Sequence, residues 1–114
     1  MVTVGEVRAF AGTLPRAYEV VVRGRLKFRV GQIVFVSFSR DGALMGFGFP
    51  KEWREALVES EPDRFMLPRP SDLRFSWAVV RLDAIDDDEM RDLVIDAWAM
   101  VVPQKVFAAY REHA

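Results

Sequence analysis

Apolar and polar positions change their period several times along the chain, and each change marks an element. From Arg25 to Phe49, three short apolar runs are separated by Val30-Gly31-Gln32 and Arg40-Asp41-Gly42, which predicts a three-stranded antiparallel meander. In the first run a period of two sets Leu26, Phe28 and Val30 on one side and Arg25, Lys27 and Arg29 on the other. The second run, Ile33 to Phe38, is apolar on both sides, as in a central strand. In the third, Leu44, Gly46 and Gly48 oppose Met45, Phe47 and Phe49, and the glycine side admits close approach by a helix or a ligand.

Helical spacing governs the flanks. Thr3 and Glu6 have the spacing of a capping box, and Val4, Val7, Phe10, Ala11 and Leu14 follow at helical intervals, predicting a helix over 4–13 that Gly12 and Pro15 end. The β-branched segment Ala17 to Val22 predicts a short edge strand. Pro50 can open a second helix reaching Ser60, with Trp53, Ala56 and Leu57 as its buried stripe. Residues 61–72 hold three prolines and read as a loop with a short extended piece at Phe65 to Leu67. A strand over 73–82 should place Phe75, Trp77, Val79 and Arg81 on one face and Arg74, Ser76, Ala78 and Val80 on the other. Asp86 and Glu89 repeat the capping signature ahead of Met90, Leu93, Val94, Ala97, Trp98 and Val101, the most regular helix in the chain. After Pro103, the residues Val106, Phe107 and Tyr110 make a short C-terminal helix. Trp53, Trp77 and Trp98 each lie in an apolar stripe and are expected to meet in the core.

Composition narrows the class. A chain of 114 residues that is 51% apolar and 29% charged is expected to form one globular domain spanning 1–114. Its apolar runs fall short of the roughly 18 to 20 residues that span a bilayer, and MVTVGEVRAF lacks the layout of a signal peptide, so a cytoplasmic protein with no membrane partner is expected. Without cysteine there is no disulfide framework and no thiolate metal site. Net charge is only −1, but it is segregated: residues 1–50 carry seven basic and three acidic side chains, the remainder nine and fourteen. Local patches therefore matter more than the total.

The order LPRAYE, RLKFRVGQIVFVSF, PKEWREAL, RFSWAVVRLD and DDEMRDLVIDAW resembles the MmcQ/YjbR family over about residues 4–105. The matching positions are Leu14, Pro15 and Glu19, then Phe28, Val30, Ile33 and Phe35, then Trp77, and finally Glu89 and Trp98. The resemblance implies a CyaY-like α+β fold, an antiparallel meander with helices packed on one face, and a role in DNA binding. Two departures stand out. Ala97-Trp98 replaces a Ser-Tyr pair common in the late helix, and Gly-Phe-Gly-Phe ends a strand where many members carry a lysine.

Three classes of function compete at the residue level. Arg25, Lys27 and Arg29, spaced roughly 6.5 to 7 Å apart, match adjacent phosphates along a nucleic-acid strand, with Arg23 extending the row and Arg64, Arg69 and Arg74 forming a second cluster. Phe65 and Phe75 lie among the latter, where aromatic rings can stack on unpaired bases. The expectation is weak, salt-dependent DNA binding without sequence readout, set against the alternative that these cations merely protect strand edges. The second class is a protein-interaction or homodimer module using a sheet edge or the glycine face; both monomer and homodimer remain open. The third is frataxin-like metal binding at Asp86-Asp87-Asp88-Glu89, against which stands the ordinary use of carboxylates at a helix N-terminus. No enzyme is expected, and no cofactor or metal: His113 is the one histidine, next to the chain end, and no nucleophile elbow or phosphate-binding glycine motif occurs.

Overall fold

The computed structural model describes residues 1–113. Its elements are α1 (Val4–Ala11), β1 (Tyr18–Val22), β2 (Arg25–Val30), β3 (Ile33–Phe38), β4 (Leu44–Gly48), α2 (Lys51–Ser60), β5 (Phe65–Met66), β6 (Trp77–Arg81), α3 (Asp87–Ala99) and α4 (Gln104–Glu112). The six strands form one antiparallel sheet in the order β1-β2-β3-β4-β6-β5, so the fold is α+β.

The meander has four strands where three are expected. Arg23 and Gly24 both take positive φ, 53° and 79°, the geometry of a two-residue hairpin turn whose twist suits its strands. Gly24 therefore joins the edge strand expected over 17–22 directly to β2, making it the first strand of the meander. The outcome is decisive for the cations: β1 is the edge strand, and β2 lies inside the sheet.

Alternation then sorts the two faces. Phe28, Val36, Phe38, Met45, Phe47, Ala78, Val80 and Phe65 are buried and face the helices; α3 lies over β3 and β4, and α1 packs beside α3. Between the pairs Phe28–Val36 and Arg29–Val34, Phe35 is an extra residue. This bulge lets Phe35 and Val36 both bury completely, with the Phe35 ring 6.5 Å from that of Phe28.

Both capping boxes form, Thr3 with Glu6 and Asp86 with Glu89. Three other expectations need correction. The strand over 73–82 begins only at Trp77, because Pro70–Asp72 is a 3₁₀ turn and the chain continues turning as far as Ser76. In α2 only Leu57 of the expected stripe packs against the core; the buried position is Arg54, while Trp53 is 63% exposed and Ala56 is exposed as well. The three tryptophans do not meet: Trp98 is fully buried, Trp77 is half-buried on the face away from α3, and Trp53 points to solvent. Among the described residues no helix is long and apolar enough to cross a membrane.

A half-buried cationic sheet face as candidate site

The face away from α3 carries Arg25, Lys27 and Arg29 on β2, Ser37 on β3, Gly46 on β4 and Trp77, Val79 and Arg81 on β6. Direct cross-strand pairing runs Val20–Lys27–Ser37–Gly46–Val79–Met66, a row that crosses the whole sheet, with Lys27 one strand in from the β1 edge. Gly46 carries the indole of Trp77. A Cβ there would lie 2.5 Å from Trp77 Nε1, so only glycine lets the ring lie this close to the strand. Gly48 has different neighbours, with Ala97 of α3 and Met100, which caps that helix, at ordinary contact distance from a Cβ built there.

The three cations of β2 are half-buried rather than fully solvated. Because β1 covers the edge, their role cannot be edge protection. The Nε of Arg29 is buried with no hydrogen-bond partner among the described residues. Lys27 is held below the usual lysine pKa, first by burial and then by the charge of Arg25; Arg29 and Arg69 push the same way, and only Asp72 opposes them. That set of neighbours also locates the proline-rich loop. Its tip, Arg69 and Asp72, which pair at 3.3 Å, comes close enough to β2 for both charges to act on Lys27.

Arg54 holds this loop in place, and hydrophobic patterning gives no hint of it. Only 8% exposed, it donates Nη1 to Phe75 O at 2.8 Å and Trp77 O at 3.2 Å, and Nη2 to Leu73 O. Lys51 Nζ adds a bond to Arg74 O at 2.6 Å. A buried guanidinium needs acceptors, and the turning segment 73–77 supplies carbonyls that no ladder uses. The only sequence signal is an arginine one residue after Trp53 where a stripe residue could have stood.

The remaining candidate residues are dispersed. Arg64 is bound by Glu61 at 2.9 Å and by Glu89 of α3, and its guanidinium lies over the Phe65 ring, so it links α2 and α3 and does not join Arg69. Arg74 is exposed and stacks on Phe75, 4.8 Å from the ring centroid. Arg23 is exposed in the β1–β2 turn, its carbonyl accepting from Arg40 at 3.3 Å. Phe65 is buried and unavailable for stacking, whereas Phe75 is 51% exposed. The acidic run is engaged locally: Asp86 and Glu89 cap α3, Asp87 pairs with Arg91 at 3.0 Å, and Glu89 also meets Arg64.

The YjbR family's sequence profile matches residues 12–100. The chain belongs to the YjbR family. Among solved structures, this YjbR chain is similar to the Deinococcus radiodurans protein DR2400, whose domain is of the DUF419 class. The two are 19% identical, the match covers 88% of this chain and 78% of that one, and the TM-score is 0.75. At that identity the likeness establishes the fold alone. No curated protein matches the sequence. The β2 row, the loop and Arg54 all lie inside the family-matched region, whereas α1 and α4 lie outside it.

Proposed function

We propose that the cationic face binds the phosphate backbone of nucleic acid, and that this YjbR-family chain is a weak, sequence-independent DNA-binding protein with a binding rather than a catalytic role. The observation that carries this reading is the placement of Arg25, Lys27 and Arg29 on an interior strand, half-buried and short of counter-charge. Like charges crowded at partial burial cost stability unless an anion meets them. Regular strand spacing of roughly 6.5 to 7 Å offers such an anion a linear track. Arg69 contributes from the loop tip, and Arg23 and Arg74 lie at the periphery. Arg64 contributes little, since two carboxylates already hold it. Phosphate contacts carry no base information, and the open face presents no helix to a groove.

Fluorescence anisotropy with random duplex and single-stranded DNA across a salt series tests this. With about four to six phosphates neutralised, log K should fall against log[salt] with a slope of about −3.5 to −5. The double variant Arg25→Gln/Lys27→Gln, shown by circular dichroism to be folded, should lower that slope by about two. The reading is overturned by undetectable binding at low salt, or by an unchanged slope in the folded variant.

A further inference from the structure

We infer that β1 is a self-pairing edge, through which two copies of this chain join antiparallel about Val20 into one continuous sheet. The two-residue turn at Arg23-Gly24 makes Val22 and Arg25 a hydrogen-bonded pair, so Tyr18, Val20 and Val22 direct their main-chain groups to β2. Glu19 and Val21 then direct their N–H and C=O groups outward. Among the described residues no strand pairs with them, since β1 ends the strand order. Ala17, next in the outward series, already spends its N–H on Leu14 O at 3.1 Å, which limits the free ladder to Glu19 and Val21.

This inventory is self-complementary in one register. With Val20 opposite its own copy, Glu19 of each chain faces Val21 of the other, and about four main-chain bonds satisfy every outward donor and acceptor of both residues. A shift by two residues toward the chain start would set Glu19 against Glu19, and one toward Arg23 would run the ladder into the turn. Side chains agree with the choice. Val21 is 65% exposed, an unusual position for valine on an unprotected strand, and β1 contains no lysine, proline or bulge of the kind that guards free edges. Glu19 does not bring a bare charge to the seam, because Arg8 holds both of its oxygens at 2.7 and 2.8 Å and keeps its carboxyl below the usual range. A second copy is the occupant inferred, since it brings the same unguarded Glu19 and Val21 groups in a two-fold register that leaves none of them unpaired.

Sedimentation velocity over a concentration series, with amide hydrogen exchange on the same samples, tests the seam. The expected result is a monomer–dimer equilibrium in which the amides of Glu19 and Val21 exchange fast at low concentration and become protected at high concentration. Those of Tyr18, Val20 and Val22 should be protected throughout. Val21→Pro removes one outward donor without touching the β1–β2 ladder, and Val21→Lys adds an edge charge at an exposed site; both should leave a folded monomer. The inference is overturned by a monomer at every concentration, by a dimer that survives both substitutions, or by exchange at Glu19 and Val21 that ignores concentration.

Discussion

At the residue scale, Lys27 and Arg54 show how side chains of one charge class can have opposite status. Lys27 is a charge that the fold disfavours. Its pKa is lower in the native state than in the unfolded chain, so between those two values the unfolded chain binds more protons and stability rises with pH. Lys27→Gln should flatten that alkaline rise relative to wild type in urea titrations at stepped pH. For the proposed DNA binding the sign reverses: affinity should fall as pH climbs through the same window, because only protonated Lys27 meets a phosphate. Arg54 is a charge that the fold requires. Hydrogen bonds to charged groups are worth about 1.5 to 3 kcal/mol, and Arg54→Met leaves several carbonyls unpaired, so the expected loss is about 2 to 3 kcal/mol by urea denaturation. Neither status is legible from period or composition, since each depends on what the loop over 67–76 does in three dimensions.

Trp77 and Trp98 sharpen the same point. Both sit in apolar stripes, but alternation along β6 leaves Trp77 on the face opposite Ala78 and Val80, while Trp98 is enclosed and donates Nε1 to Pro15 O at 2.9 Å. Trp98→Ala should cost about 3 to 5 kcal/mol, and Trp77→Ala distinctly less. In a Trp53→Phe background, Gly46→Ala should swing the Trp77 ring off the sheet and shift its emission to the red.

At the element scale, legibility followed the strength of local signals. Capping boxes located two helix starts to the residue, because the cap geometry is written in residues three apart. Asp86→Ala should therefore cost about 1 kcal/mol in melting experiments. The strands of the meander were legible from period two together with glycine turns. The segment 73–76 was not, because its alternating pattern imitates a strand although a 3₁₀ turn and the carbonyl bonds to Arg54 and Lys51 bend it. The stripe of α2 was misread for a related reason. That helix lies against the β5–β6 end of the sheet with Arg54, Leu57 and Val58 as its inward positions, which leaves Trp53 in solvent.

At the scale of the whole molecule, the four-stranded meander changes what the cationic row signifies. With β1 outside β2, the row lies one strand in from the edge. Pairing of two β1 strands would set the rows of the two copies three strand spacings apart, about 15 Å. A DNA long enough to touch both rows should then bind more tightly than a short one, by avidity alone. Anisotropy with oligonucleotides of graded length should show the step in wild type and lose it in Val21→Lys.

The strand order has a kinetic consequence as well. Strands β1 to β4 are joined by short turns and can zip as successive hairpins, whereas β6 must return across residues 49–76 to pair with β4 and then receive β5 on its other side. Loop closure of that length is entropically costly before any contact offsets it. The early barrier should thus involve the hairpins and the late one the closing pair. Stopped-flow chevrons should show Gly24→Ala, strained at φ 79°, slowing refolding, while Arg54→Met leaves refolding almost unchanged and accelerates unfolding.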